Sequence, residues 1–343
     1  MQSIANSMIA QPRAMLLPAA VMTYAAFALA ISPEVFAFMV QSYFDQAIIL
    51  PVLLCIGLPA VAVLVRPRAP VQLMLEVLKD GGVRLIIVVC FFCAGLAAFT
   101  TFKLAIPKLV PFYADPFLAN ADAWLHNGNP GDIVHGVLPA WAQYPLGYLY
   151  GPIWFVLWFG LTAFIALQGN AQLRLQYLWT MAISFCLLGT VIATALSSVG
   201  PIFYGTFFHP ERFANLLSSI EASAVGDYMS QASGLLLTSY QTGESRLGTG
   251  ISAMPSMHLA VVTLNACMLS TVNRAAGVIA WLYVGCILLG SVYLGWHYAL
   301  DGYFSIVFVS LLWHVIGRVF RQRPRAYSGE PNDLSTGAKP KYA

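Results

Sequence analysis

Apolar runs of about 20 residues recur along this chain, and they constrain its fold more than any other feature. Such a run is long enough to cross the hydrocarbon core of a bilayer as a helix. Of the 343 residues, 59% are hydrophobic and 9% are charged, against about 25% charged in an ordinary soluble domain. A chain this apolar has too little polar surface to cover a soluble globule. The sequence therefore predicts an integral membrane protein.

The positions of the apolar runs predict an all-α fold, a polytopic membrane bundle of about eight transmembrane helices. The predicted spans are roughly residues 14–32, 46–65, 83–105, 147–168, 176–196, 255–272, 276–294 and 299–318. If both termini are cytoplasmic, most of the basic residues lie inside, and the outside holds only Lys103, Lys108, Arg212 and Arg246. By the positive-inside rule, this asymmetry predicts that orientation.

Two long segments then face the outside, residues 106–146 and 197–254. The first carries Asp115 and Asp122 and predicts a short interfacial helix, with Trp124 and Trp141 at the level of the lipid headgroups. In the second segment, the stretch FANLLSSIEASAVGDYM predicts another surface helix. The six cysteines all fall inside apolar runs, so we expect buried thiols and no disulfide framework.

The segment SVYLGWHYALDGY, residues 291–303, places two ionisable side chains at a membrane border. His297 and Asp301 are four residues apart, so on a helix they share one face. An aspartate that accepts a hydrogen bond from one imidazole nitrogen leaves the other nitrogen free to attack phosphorus. A structural His–Asp hydrogen bond at the end of a span is the alternative interpretation of this segment.

The segment GTGISAMPSMHLA, residues 248–260, leads into the next apolar run. Pro255 suits the first position of a helix, and the N–H groups of a helix N-terminus attract phosphate. His258 falls in the first turn, where it could protonate a leaving oxygen, although a histidine there can also be merely exposed. Both segments face the outside in the predicted topology. We therefore predict one site that contains His258, His297 and Asp301.

The strings AMPSMH (253–258) and YLGWHYALD (293–301) resemble motifs of the type 2 phosphatidic acid phosphatase superfamily. Within it, they are most similar to the inositol phosphorylceramide synthase branch. The resemblance covers roughly residues 83–318 and implies a six-helix membrane core. It also implies that His297 is the nucleophile of a phosphohistidine intermediate, that Asp301 orients it, and that His258 is the acid–base histidine. The implied reaction needs neither a metal nor a cofactor.

The resemblance divides the chain into three parts. Residues 1–82 hold two additional transmembrane helices and a cytoplasmic loop, and residues 83–320 form the catalytic membrane domain. The remaining segment, 321–343, is polar and predicts a disordered cytoplasmic tail.

The chain departs from the phosphatase branch at the cations that hold phosphate. That branch carries a lysine and an Arg-Pro pair near the outer end of a core helix, where this chain has SSVGP at 197–201. It also has an arginine six residues before the nucleophile, at the position of Ser291. We expect helix N–H groups around Ser256 and the side chain of Arg246 to bind phosphate instead. A solvated loop arginine is the alternative for Arg246.

These departures favour a phosphotransferase that moves a phosphoryl or phospho-headgroup between a lipid donor and an alcohol acceptor. A lipid or polyprenyl phosphate phosphatase is the alternative, and a membrane transporter is a further one. A transporter would carry polar groups at mid-membrane depth in two matching halves, whereas the polar residues here cluster at one face.

The expected partners are a lipid phosphate or phospholipid and the bilayer, and no nucleic acid. The absence of an N-x-S/T sequon favours a bacterial inner membrane. Donor, acceptor and oligomeric state stay open.

Overall fold

The computed structural model of the protein describes residues 12–320, so the predicted disordered tail lies outside the described residues. Within that range the chain forms helices, turns and loops and no β-strand. Six helical segments are long and apolar enough to cross a membrane: Pro33–Val65, Pro70–Leu109, Ala140–Leu167, Ala171–Ala195, Arg274–Tyr293 and Ala299–Phe320. Two shorter apolar helices, Leu16–Ile31 and Met257–Val272, coincide with the first and sixth predicted spans. The predicted all-α membrane bundle is confirmed.

The first four helices form a group around one long helix. They are α1 (Pro12–Ile31), α2 (Pro33–Gln46), α3 (Ile49–Val65) and α4 (Pro70–Leu109). Each of α1–α3 packs against α4. With 40 residues, α4 is about 60 Å long, twice the thickness of the hydrocarbon core. It begins at Pro70, whose ring suits a first helical position, so the expected boundary at residue 82 falls inside a continuous helix.

The next five helices carry the first outside segment and two membrane spans. They are α5 (Asp115–His126), α6 (Pro130–Val137), α7 (Gln143–Tyr150), α8 (Pro152–Leu167) and α9 (Ala171–Cys186). A 3₁₀ turn, Ala140–Ala142, precedes α7, and a π-helical turn, Leu187–Ile192, extends α9 into the short helix Ala193–Ala195. Trp124 and Trp141 are 81% and 69% exposed, so both rings lie on the surface of the bundle, and their interfacial position stays a prediction.

The last six helices complete the bundle. They are α10 (Pro201–Phe207), α11 (Ala214–Glu221), α12 (Gly226–Thr242), α13 (Met257–Val272), α14 (Arg274–Tyr293) and α15 (Ala299–Phe320). The single surface helix predicted over 213–229 is wrong, because the turn 222–225 separates α11 from α12.

Helices α13, α14 and α15 position the candidate site. The first two form a hairpin about Asn273, whose side chain accepts a hydrogen bond from the backbone N–H of Ala276 and so caps α14. Helix α15 packs against α13 and α9, and the main hydrophobic core lies among these helices, α7 and α8. Because neighbouring helices alternate in direction, the end of α14 and the starts of α13 and α15 meet at the same end of the bundle.

Candidate active site

His297 is held by two hydrogen-bond acceptors. It lies in the turn between α14 and α15, and its Nδ1 is 2.8 Å from the carbonyl oxygen of Ala253 and 3.3 Å from Oδ2 of Asp301. Since neither oxygen can donate, Nδ1 must carry the proton and Nε2 keeps its lone pair. The ring therefore presents an unprotonated nitrogen, the form that a nucleophile or a base requires.

The pairing of His297 with Asp301 arises differently from the sequence-based expectation. His297 precedes α15, so the two residues do not share one helical face. Instead, Asp301 in the first turn of α15 is fully buried and accepts a hydrogen bond from the backbone N–H of Tyr298, 3.0 Å away. The turn folds back over the start of the helix and brings the imidazole to the carboxylate. The carboxylate can thus offset the positive charge that His297 gains on reaction.

His258 lies opposite, between two aromatic rings. Its ring stacks on Tyr150 with a centroid distance of 4.3 Å and lies 4.1 Å from the ring of Trp154. The centroids of His258 and His297 are 6.4 Å apart. The indole N–H of Trp154 also donates to the carbonyl oxygen of His258. The stacked rings fix the plane of the imidazole, while its nitrogens make no hydrogen bond to residues 16–320.

Ser256 caps α13. Its hydroxyl accepts from the backbone N–H of Leu259, and the residue is fully buried. The helix therefore begins at Met257, two residues later than Pro255, and the Ser256 hydroxyl does not line the cavity described below. The predicted binding of phosphate by helix N–H groups around Ser256 stays a prediction, and the N–H of Ser256 itself donates to the carbonyl oxygen of Asp301. The backbone N–H groups of Met257 and His258 are the ones that the helix start offers to an anion.

A cavity of about 280 Å³ contains both histidines. Lys103, near the end of α4, is the one cation among the described residues that line it. The backbone of Gly250 packs against the aliphatic stem of Lys103, so the loop before α13 closes over this side chain. From sequence alone, Lys103 was only an outside charge. Its position at the border of a predicted span was the signal that could have identified it.

Arg246 lies outside this cavity. Its side chain is 57% exposed and forms an ion pair with Glu244 at 2.8 Å. The predicted role of Arg246 in binding phosphate stays a prediction, and the geometry favours Lys103 for that role.

Asp115, in α5, connects three parts of the site. Its carboxylate accepts hydrogen bonds from the backbone N–H groups of Val199 and Gly200 and from the hydroxyl of Tyr298, all at 2.9 Å. Burial raises the pKa of Asp115, and these hydrogen bonds oppose the rise. Gly200 has a φ of +84°, and a Cβ there would lie 2.5 Å from the carbonyl oxygen of Trp296, so only glycine fits. Asp115 thus joins the cavity wall at Val199 to the residue that follows His297.

Asp122 lies two turns after Asp115 on the same face of α5, and it holds the start of α15. It accepts from the backbone N–H groups of Ala299 and Leu300 at 3.0 and 3.2 Å, as a capping residue does. Burial raises the pKa of Asp122 as well. Both donors, Ala299 and Leu300, follow His297 by no more than four residues, so Asp122 helps to position the segment that carries His297. From sequence alone, Asp115 and Asp122 were only carboxylates of an outside segment.

Ser198 and Ser291, from the two segments that depart from the expected phosphatase motifs, order the backbone. The hydroxyl and carbonyl oxygens of Ser198 accept from the N–H groups of Met254 and Ala253. The carbonyl oxygen of the buried Ser291 accepts from the N–H groups of Trp296 and His297. These residues therefore position the two histidine-bearing segments.

Comparison with protein families gives one match. The model of the PAP2 superfamily, the type 2 phosphatidic acid phosphatases, matches residues 116–315, more than half of the chain. Comparisons with curated proteins and with solved structures give no match. The matched range contains His258, His297 and Asp301, whereas Lys103 and helices α1–α4 lie before it. Members of this superfamily are generally phosphatases or phosphotransferases. The chain belongs to the PAP2 superfamily.

Proposed function

We propose that this protein is a membrane phosphotransferase that moves a phospho-headgroup from a lipid donor to an alcohol acceptor through a phosphohistidine at His297. The observation that carries the proposal is the pair of acceptors on Nδ1 of His297. They leave Nε2 as the free ring nitrogen, in a cavity shared with His258 and Lys103. Asp301 orients His297, and His258 is the acid and base.

The first step transfers the phosphorus group to the enzyme. The lone pair of His297 Nε2 attacks phosphorus, and the bond from phosphorus to the lipid oxygen breaks with its electron pair on that oxygen. His258, protonated at the start, gives its proton to this oxygen, so a neutral lipid alcohol leaves. The separation of the two rings, 6.4 Å between centroids, leaves room for a phosphorus group between them.

The second step reverses the first with a different alcohol. The acceptor hydroxyl gives its proton to neutral His258, its oxygen attacks phosphorus, and the P–N bond breaks with its electron pair on His297. His258 is protonated again and His297 is free, so no proton is gained or lost over the cycle. Water in place of the alcohol would release the headgroup and make the same residues a hydrolase.

The charge of the cavity supports a phosphodiester donor. A phosphate monoester carries about −1.5 to −2 at pH 7, whereas a phosphodiester carries −1. Lys103 is the one lysine or arginine among the described residues of the cavity wall, and the segment SSVGP and Ser291 take the place of the cations of the phosphatase branch. Once His258 has given its proton to the leaving oxygen, this one fixed positive charge faces the one negative charge of a phosphodiester. A phospholipid whose headgroup is transferred, as in an inositol phosphorylceramide synthase-like reaction, therefore suits the site better than a lipid monophosphate.

We further propose that the site faces away from the cytoplasm of a bacterial inner membrane and that both termini are cytoplasmic. Lys103, His258 and Asp301 lie at one end of the bundle, whereas Arg174 and Arg274 lie at the starts of α9 and α14, at the opposite end. Arg84 lies inside α4, about 28 Å from Lys103 along the helix. The positive-inside rule assigns the arginine-rich end to the cytoplasm.

The experiment uses the full chain in detergent with a donor phospholipid labelled at phosphorus, in EDTA, with and without myo-inositol or ceramide. His297→Ala is compared with His314→Ala, because His314 is exposed and its one hydrogen bond within residues 16–320 is to Ser310 of its own helix. We expect the label to move to the added acceptor in the wild type and in His314→Ala but not in His297→Ala. The labelled product is a new lipid with ceramide and a water-soluble phosphodiester with myo-inositol.

Other outcomes decide between the alternatives. Release of inorganic phosphate from a polyprenyl or lipid monophosphate, independent of acceptor, would make the protein a phosphatase. Activity that EDTA abolishes would refute the predicted metal independence. Failure to label His297 with any donor in a panel of phospholipids and polyprenyl phosphates would refute the phosphohistidine.

A further inference from the structure

Two arginines lie together, without a counter-ion, on the side of the bundle opposite the candidate active site. Arg84 belongs to α4 and Arg174 lies near the start of α9, and their positive charges are close enough to interact. Neither forms an ion pair with a carboxylate of residues 16–320. Asp80, one turn before Arg84, is exposed and is not paired with it. Like charges repel, so an anion beside both side chains would stabilise this arrangement. We call Arg84 and Arg174 the arginine pair.

Both side chains lie beside the end of α8. A Cβ at Gly81 would lie 2.9 Å from the side chain of Leu167 and 3.4 Å from Nη2 of Arg84, so α4 packs closely on the last residue of α8 and Arg84 lies at this contact. On the other side, Nη1 of Arg174 donates to the carbonyl oxygen of Gln168, the residue that follows α8. Three helices therefore fix the position of the arginine pair.

The protein satisfies few of the donors that the pair offers. A guanidinium group has five N–H donors. Arg174 uses one of them on Gln168, whereas Arg84 makes no hydrogen bond to the side chains or loops that the structure describes, and its Nε is buried from solvent. The C-terminus of α8 carries a partial charge of about −0.5, which is less than the two positive charges beside it. A phosphate group has the negative charge and the several acceptor oxygens that fit two guanidinium forks.

The arginine pair lies at the depth of lipid headgroups. Arg84 is about 28 Å from Lys103 along α4, close to the thickness of a hydrocarbon core of about 30 Å. Arg174 lies near the start of the span Ala171–Ala195. The pair is therefore level with the phosphates of the leaflet opposite the active site. Basic pockets between membrane helices at such a border bind anionic headgroups.

We propose that the arginine pair binds the phosphodiester of an anionic phospholipid in the leaflet opposite the active site. The phosphate oxygens would accept from both guanidinium groups and so hold α4 against the end of α8 and the start of α9. The charge and the hydrogen-bond donors call for a phosphate, and the depth of the pair selects a lipid as its source. The proposal does not depend on the reaction proposed above.

The test compares thermal melts of the full chain in a neutral detergent, alone and with phosphatidylglycerol. We expect phosphatidylglycerol to raise the melting temperature of the wild type and to raise that of Arg84→Gln much less. In detergent alone, Arg84→Gln should melt at or above the wild type, because it loses no hydrogen bond found in the structure and no longer repels Arg174. Native mass spectrometry should show phosphatidylglycerol bound about tenfold more weakly to Arg84→Gln.

Two variants are controls. Arg274→Gln removes an exposed arginine at the start of α14, at the same end of the bundle, and should respond to phosphatidylglycerol as the wild type does. Lys103→Met alters the active-site cavity, so the part of the response that depends on Arg84 should persist in it. If Arg84→Gln is not monodisperse, Arg84→Lys keeps the charge without the fork and should still weaken the binding of phosphatidylglycerol.

Three results would overturn the proposal. If Arg84→Gln melted below the wild type by the same amount with and without phosphatidylglycerol, the arginine would serve only the end of α8. Stabilisation by inorganic phosphate with no response to phosphatidylglycerol would show that the pair takes a soluble anion. An equal response to phosphatidylcholine, which has the same phosphodiester but no net charge, would show that the pair does not select an anionic lipid.

Discussion

Replacement of Lys103 by methionine tests whether this side chain holds the phosphate. Methionine has a similar length and no charge, so the packing of the stem against Gly250 is largely kept. A hydrogen bond to a charged group contributes roughly 1.5–3 kcal/mol, and Lys103 is the one cation among the described residues that line the cavity. If that contact is lost in the transition state, kcat/KM should fall about 10- to 150-fold.

The assay is the transfer of phosphorus label from donor phospholipid to acceptor, with donor concentration varied so that kcat and KM are separated. Lys103→Arg keeps the positive charge and should retain more activity than Lys103→Met. Lys108→Met is the matched control, because Lys108 lies on the same helix but is exposed and does not line the cavity. We expect Lys108→Met to behave as the wild type.

Arg246→Met provides the decisive contrast, because Arg246 was the cation expected from sequence. Its exposed pair with Glu244 predicts a small effect, since surface ion pairs contribute little. If Arg246→Met lost activity while Lys103→Met and Lys108→Met were both like the wild type, the assignment of the phosphate contact to Lys103 would be wrong.

Three further predictions concern the residues around the histidines. Asp115→Asn should lower both thermal stability and kcat, because one amide oxygen cannot accept from three donors. Tyr298→Phe removes only one donor and should lower the melting temperature less. Equal losses of melting temperature in the two variants would contradict this reasoning. Trp154→Leu removes a ring that packs against His258 at a centroid distance of 4.1 Å, and it should lower kcat more than it raises KM. A change confined to KM would show that this contact serves only binding. Because burial raises the folded-state pKa of Asp122 above its unfolded value near 4, its contribution to stability is present below about pH 4 and is lost as pH rises through the folded pKa. The melting temperature of the wild type relative to Asp122→Asn should therefore fall as pH rises above about 4, and a rise would refute the sign.

Much of the fold follows from local features of the sequence. Hydropathy located the membrane-spanning segments, because crossing a bilayer requires about 20 apolar residues in a row. The start of α4 at Pro70 was not predicted, since a helix that projects beyond the membrane needs no apolar residues there. The division between α11 and α12 was missed because a short turn leaves the average composition unchanged.

The candidate site also divides into residues that local sequence features predict and contacts that they do not predict. His258, His297 and Asp301 were predicted from sequence, because each stands at the end of an apolar run and short motifs carry them. The hydrogen bond from His297 to Ala253, the contacts of Asp115 with Val199 and Gly200, and the place of Lys103 in the cavity were not. These contacts join segments far apart in the chain, and helical periodicity describes only neighbours three or four residues away. Which distant helix ends meet was decided by packing, so only the tertiary structure shows which cation and which carboxylates surround the histidines.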